Sequence, residues 1–304
     1  MPYFIRDGKI QTEGLQLAGA YHCNLRCADC LSISSCAPAG FPSLESVEAD
    51  LGRLGAVAHA KELRIVGGEP LLNPELGELA GIAKRSQIAD KVTMFTNGRL
   101  FERMDEAVWS NLDQLNISVY PEAPPPEGAL EEAAAQTQAR GIKLRVYRRH
   151  RFYVRVLTQP HPEDLLTRLI FFGCSAAHQD HCHWVHEGRL FKCAMPLFLP
   201  GYLRKLGWDD YVAEDDGMEI GREGELSGRL RSFLGSTKVL QACRWCLGSF
   251  GRQQAHRQLT REELDNPSLR PVTRGTHLSP TRLVLRTANQ LRHSAVGRIL
   301  GGFG

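Results

Sequence analysis

The chain has 304 residues, 42% hydrophobic and 23% charged, which is enough apolar material for one large domain and a smaller one. No basic segment followed by an apolar run opens it, and no stretch approaches the roughly 20 apolar residues that span a bilayer, so a cytoplasmic protein is expected. Net charge is +3, and nine cysteines, an odd number in a chain too long to need disulfide staples, point to metal or redox chemistry in a reducing compartment.

In chain order, a first strand leads into the loop "GAYHCNLRCADCLSISSC", residues 19–36, which holds Cys23, Cys27, Cys30 and Cys36. "SLESVEADLGRLGAVAHA" then opens on Ser43 as an N-cap, with acids two and five residues on and apolar residues at Leu44, Val47, Leu51 and Leu54, a helix signature. "KELRIVGGEPLL" reads as a short strand stopped by two glycines, followed by a helix over 74–85 and the strand "KVTMFTNGRL" ending in an Asn-Gly turn. The cycle repeats with a helix over 104–111, the strand "QLNISVY", a Pro-rich loop over 121–126, an Ala-rich helix over 130–140 and the strand "IKLRVY". Strands alternating with helices at this spacing predict an α/β fold with a parallel sheet, whose chemistry sits at the carboxyl ends of the strands. The motifs fall at those ends.

From His256 onward eight arginines stand against three acids, a balance of +5 that leaves the rest of the chain near −2. Aromatic residues are almost absent from this tail, which argues against a nucleic-acid surface. Val284, Ala288, Leu291, Ala295 and Ile299 recur at helical spacing with Arg282, Arg286 and Arg292 elsewhere on the wheel, predicting a helix laid on the body.

Thiolate is the soft ligand preferred by iron–sulfur clusters and zinc, and three loop cysteines at Cys23, Cys27 and Cys30 leave one corner of a four-iron centre open. A zinc knuckle completed by Cys36 is the bland alternative. The C-terminal part adds Cys174, Cys182, Cys193, Cys243 and Cys246, five thiols of which four would saturate a metal centre. His178, His181, His183 and His186 keep zinc open there, or serve as outer-shell or substrate-facing groups.

C-x3-C-x2-C followed by Gly-Gly-Glu-Pro at 67–70 resembles the radical S-adenosylmethionine (SAM) superfamily, whose fold is a partial TIM-like (β/α)6 barrel. The resemblance covers residues 15 to about 256 and implies that Cys23, Cys27 and Cys30 hold a [4Fe-4S] cluster whose open iron chelates SAM, which one electron cleaves to a 5'-deoxyadenosyl radical. It implies SAM contacts at Gly67, Gly68, Glu69, Pro70, Asn97 and Ser118, and at Arg145 on the next strand; the glycines are expected to let backbone approach the ligand. Asp29 departs from the aromatic residue common before the third cysteine.

The second cysteine set resembles the family's shorter auxiliary-cluster (twitch-like) module. Its pattern, a cysteine followed after nine to fifteen residues by G-x4-C, is met by Cys174 with Gly188 and Cys193 and not by Cys182. This implies a second [4Fe-4S] cluster on Cys174, Cys193, Cys243 and Cys246, with Cys182 free. A free thiol near the substrate can return a hydrogen atom and invert a carbon, so Cys182 is the expected donor and Cys36 its competitor. The expected organisation is a barrel over 1–170, the auxiliary module over 171–256 and a basic helical tail over 257–304.

With only 22 residues before Cys23, a small-molecule substrate is expected in place of a peptide. The resemblance extends to carbohydrate- and aminoglycoside-modifying members of the neomycin C epimerase type, supplied by an external reductant of flavodoxin or ferredoxin type. It implies epimerisation, with alcohol dehydrogenation through the auxiliary cluster second and a zinc-binding interaction protein third.

Overall fold

The computed structural model describes residues 3–222 and 224–293. Five strands, β1 (Leu15–Ala20), β2 (Leu63–Gly67), β3 (Val92–Thr96), β4 (Gln114–Val119) and β5 (Lys143–Arg148), lie side by side in chain order and all parallel. The crossovers are α1 (Leu44–Gly55), α2 (Leu76–Arg85), α3 (Glu106–Trp109) and α4 (Ala129–Arg140). Ser43 caps α1, its side chain accepting from the Ser46 N–H, and the predicted apolar positions Val47, Leu51 and Leu54 pack inward against Leu17, Leu63 and Ile65. Every residue of β1 is buried, as expected where helices cover a parallel sheet. The helix expected over 104–111 is a single turn, α3, capped by Asp105, after which Asn111 bonds back to the Ala107 carbonyl.

The sheet does not grow beyond β5, whose residues are largely exposed. It grows on the other side of β1. There β6 (His183–His186) runs parallel to β1, pairing His183 with Leu15 and Trp184 with Gln16, and β7 (Arg189–Phe191) and β8 (Gly217–Glu219) continue antiparallel. The β6–β7 turn places Glu187 and Gly188 at positive φ, as a tight two-residue hairpin requires. Asp50 of α1 accepts the Gly188 N–H at 2.8 Å and locks that hairpin to the barrel. The fold is thus α/β, a partial TIM-like parallel sheet of six strands with two antiparallel ones added.

A second apolar cluster lies under the C-terminal half, where α6 (Met195–Lys205) packs Phe198, Leu199 and Leu203 against Trp184, Trp245 and Cys36; a further helix, α5 (Leu165–Phe172), precedes it in the chain. The terminal helix, α7 (Pro280–His293), forms as expected but is rotated from the predicted stripe. Leu283 faces the body, whereas Val284 is 67% exposed. The cause is Arg282, whose guanidinium sits 4.0 Å over the Tyr153 ring and donates to the Ser249 carbonyl. The Leu291, Ala295 and Ile299 side chains lie outside the described residues.

Candidate active site

At the carboxyl end of β2 the chain presses on the cysteine loop. Gly68 N–H donates to the Ala20 carbonyl at 2.9 Å and Glu69 N–H to that of His22 at 3.0 Å. A Cβ on Gly68 would overlap the His22 carbonyl oxygen, and Gly67, at φ +112, would bring one within 2.5 Å of the Ala20 oxygen. The two glycines are therefore required first by contact with β1 and the loop after it, in addition to any approach to a ligand.

Glu69 is 1% exposed. Its Oε1 accepts from Thr96 Oγ1 at 2.6 Å and Leu71 N–H at 3.1 Å, and its Oε2 from Asn97 N–H at 2.8 Å. Burial pushes its carboxyl up to about 7 against these bonds. The side chain ties the ends of β2 and β3 together and keeps one lone pair on Oε2 for a further donor. Pro70 is buried behind it, against Gly19, and does not face the cavity described below.

The cysteine loop is held from the far end of the chain. Cys27 bridges Gln258 in antiparallel fashion, Ala28 N–H donates to Arg257 O at 2.9 Å, and Leu259 N–H to Arg26 O at 2.7 Å. Cys27 Sγ lies 3.2 Å from both His256 Nε2 and Gln258 Nε2. Asn97 Nδ2 donates to Asn24 at 2.8 Å and approaches Cys23 Sγ at 3.9 Å. Asp29, at φ +61, is not an exposed substitute for an aromatic residue: its carboxylate is 6% exposed and paired with Arg270 at 2.5 Å. These tail contacts carry no local sequence signal.

Cys23, Cys27 and Cys30 line a cavity of about 640 Å³ together with Gly67, Gly68, Glu69, Asn97, Ser118 and Arg145. That volume is in the range of small-molecule sites. Of the rest of its wall the sequence singled out Cys182 and not the polar residues that follow. Glu62 and Arg64 pair at 2.6 Å on the β2 side, and Arg145, Tyr147 and Arg149 form the β5 side, Arg149 stacking 4.6 Å from the Tyr147 ring centre. Among the described residues Arg145 and Arg149 make no ion pair.

A second, apolar cavity is lined by Cys174, Cys193, Cys243 and Cys246, the four thiols implied as auxiliary ligands, and by Cys182. Leu31, Cys182 and Trp184 line both cavities and form the partition between them. Cys36 lines neither and is buried in the second apolar cluster. Burial pushes the Cys182 thiol up to about 11, which keeps its S–H at neutral pH. The Trp184 indole N–H is buried without a partner among the described residues.

The four histidines stand elsewhere. His183 donates from Nδ1 to the Lys192 carbonyl at 3.1 Å and meets the Tyr3 hydroxyl through Nε2 at 2.8 Å; His181 Nδ1 meets Thr12 and Glu13; His186 packs edge-on to Tyr21; and His178 packs edge-on to Phe171. None of the four lines either cavity.

Each thiol set lines a cavity. Among the described residues no three His, Cys, Asp or Glu side chains are drawn together around one metal ion; the sulfurs surround space. N–H groups aim at Cys23 and Cys27, as thiolate ligands require. Beside the second set Lys192 is 2% exposed, donates to the Ser236 carbonyl at 2.6 Å and lies near the faces of Phe171 and Phe233, with no carboxylate partner among the described residues. Burial pushes the Lys192 ammonium down to about 8, and negative charge on Cys193 and Cys243 beside it would work the other way.

Residues 19–151, from the end of β1 to just past β5, match the family described as the radical SAM superfamily. That stretch of the chain is similar to the radical SAM superfamily. GTP 3',8-cyclase of Chlorobaculum tepidum is 39% identical over 107 residues, covering 34% of this chain and 32% of that protein. The enzyme of the same name from Aeromonas hydrophila is 34% identical over 105 residues, covering 32% and 30%. The chain spans about a third of the length of these curated relatives. Among solved structures, native anSMEcpe with bound AdoMet aligns over 95% of this chain and 99% of that one at 14% identity and TM-score 0.49. BtrN in complex with AdoMet and 2-DOIA aligns over 77% and 92% at 15% identity and TM-score 0.46. Among the described residues no helix is long and apolar enough to cross a membrane.

Proposed function

We propose that the chain is a radical SAM enzyme acting on a small polar molecule, with one [4Fe-4S] cluster on Cys23, Cys27 and Cys30 and an auxiliary one on Cys174, Cys193, Cys243 and Cys246. The observation that carries the reading is the placement of three loop thiols, the glycine pair and Glu69 on one cavity whose far wall, Cys182, also borders a second thiol-lined space. SAM, held beside a cluster on Cys23, Cys27 and Cys30, would supply on one-electron reduction the radical that removes a hydrogen atom from substrate. Glu69 Oε2 has a lone pair left for an ammonium group, and Asn97 and Ser118 stand on the same wall.

Cys182 is the group suited to return the hydrogen. Its S–H is retained, and it faces the cavity from the partition. Transfer breaks S–H and forms C–H with inversion, leaving a thiyl radical; one electron from an external reductant of flavodoxin or ferredoxin type and one proton from solvent restore the thiol. Dehydrogenation is the second reading, favoured by the thinness of the partition, three side chains between the substrate space and the auxiliary thiols. Zinc in place of the clusters is the third reading, kept open by four thiols on one cavity.

A carbohydrate-type substrate remains a proposal resting on family resemblance. The unpaired Arg145 and Arg149 suit a phosphate- or carboxylate-bearing molecule better than a polycationic aminosugar. The curated relatives are named for GTP, which is an anionic, sugar-containing molecule.

The test is iron and labile sulfide per chain after anaerobic reconstitution, followed by SAM cleavage under a strong reductant. About eight irons, falling to about four in a Cys23/Cys27/Cys30→Ala variant that no longer forms 5'-deoxyadenosine, is expected. Zinc without sulfide would overturn the reading.

A further inference from the structure

We propose that His256 and Gln258 are positioning residues that set the reduction potential of the N-terminal cluster through two N–H donors on Cys27. The inference rests on Cys27 being a cluster ligand. It concerns residues that lie 229 and 231 positions away from it in the chain.

The donors are fixed by independent contacts. Arg26 N–H donates to Gln258 Oε1 at 2.6 Å, which settles the amide orientation and turns its NH2 toward Cys27 Sγ at 3.2 Å. The Gln258 N–H is itself held by Glu122 at 2.7 Å. The His256 ring stacks on Tyr120 with centroids 5.1 Å apart and leans on Phe152 at 5.3 Å, so Nε2 stays 3.2 Å from the sulfur. Gln258 Nε2 and His256 Nε2 also lie 3.2 Å apart; a thiolate can only accept, so with Cys27 ionised the ring carries its proton on Nε2 and both N–H groups turn to the sulfur in place of each other. Nδ1 is then a bare nitrogen, and it has no partner among the described residues.

The other two thiols are served less well. Cys23 receives the Leu25 N–H at 3.4 Å and Asn97 at 3.9 Å, and among the described residues Cys30 has only Ser34 Oγ at 3.8 Å. Two N–H groups on one sulfur withdraw negative charge and favour the reduced, more negative cluster, which raises its potential. The segment 256–259 is thus an electronic as well as a mechanical strap on the cysteine loop.

The experiment is an EPR-monitored redox titration of the full-length, reconstituted protein, reading the iron–sulfur signal that changes on adding SAM. His256→Phe, which keeps a ring against Tyr120, and Gln258→Leu are each expected to move the midpoint to lower potential, and the double variant further. His256→Asn, which retains an N–H group, is expected to shift less than His256→Phe. The signal reports only loaded molecules, so partial loss of iron does not obscure it. Parent-like midpoints in both single variants would overturn the proposal. So would an equal shift in Glu122→Gln, which loosens the strap while leaving both donors in place. If the parent itself shows no SAM-responsive signal, the cluster assignment fails and not this role alone.

Discussion

Arg270 reaches across 241 positions of sequence to close on Asp29 at 2.5 Å, immediately before the third loop cysteine. Arg270 also donates to Gln254 at 2.8 Å, so one guanidinium joins the tail to the cysteine loop. Removing it strands a carboxylate that is 6% exposed. Arg270→Ala is expected to lower unfolding stability by roughly 3 kcal/mol, and the Asp29→Asn/Arg270→Ala double variant by less. Urea unfolding of the four proteins of this cycle measures it; additive effects would mean that the pair is not coupled.

Glu69 makes stability depend on pH. Its folded carboxyl stands at about 7 against 4.5 ordinarily, so between those values the folded chain keeps a proton that the unfolded chain loses. The contribution favouring the folded state is full below pH 4.5 and is lost as pH rises toward 7, at up to about 1.4 kcal/mol per pH unit. Unfolding midpoints at pH 5, 6 and 7 should fall in the parent and flatten in Glu69→Gln.

Lys192→Met separates the apo protein from the loaded one. Without metal, replacing a buried ammonium that lacks a carboxylate by an apolar chain of similar length is expected to stabilise by about 1–3 kcal/mol. With metal, loss of the positive neighbour of Cys193 and Cys243 is expected to weaken retention of the C-terminal centre. Thermal stability of the apo protein and retention of iron against a chelator should therefore move in opposite senses; a loss of stability in both states would count against the charge-complement role.

Cys182→Ala tests the hydrogen donor. Iron content and SAM cleavage are expected to persist while incorporation of solvent deuterium into product disappears. Label retained in the variant would move the donor elsewhere, and an oxidised, unlabelled product in the parent would favour dehydrogenation.

The repeating strand–helix pattern made β1 to β5 and their end-of-strand motifs readable because each is governed by local periodicity and turn chemistry. Ser43, the glycine pair and Asn97 stand where such local rules place them. What local rules miss is chain meeting chain. Asp29 was visible as a departure, but its partner sits in a tail that composition marks only as basic. The histidines around β6 looked like ligands because imidazole suits metal, yet Tyr3 and Thr12 from the first residues occupy His183 and His181. Val284 kept the helical spacing, but the Tyr153 ring under Arg282 decided which face of α7 turns inward.

Because β6 hydrogen-bonds to β1 on the side away from β2, the second thiol module shares the sheet that builds the first site. A chimaera that exchanged the C-terminal half for that of a relative would have to match the buried outer flank of β1 and the Asp50 grip on the β6–β7 hairpin. It would also have to supply a tail able to return to Cys27. The two halves therefore behave as co-inherited parts, and recombination between them is expected to succeed only when the first strand and the tail travel together.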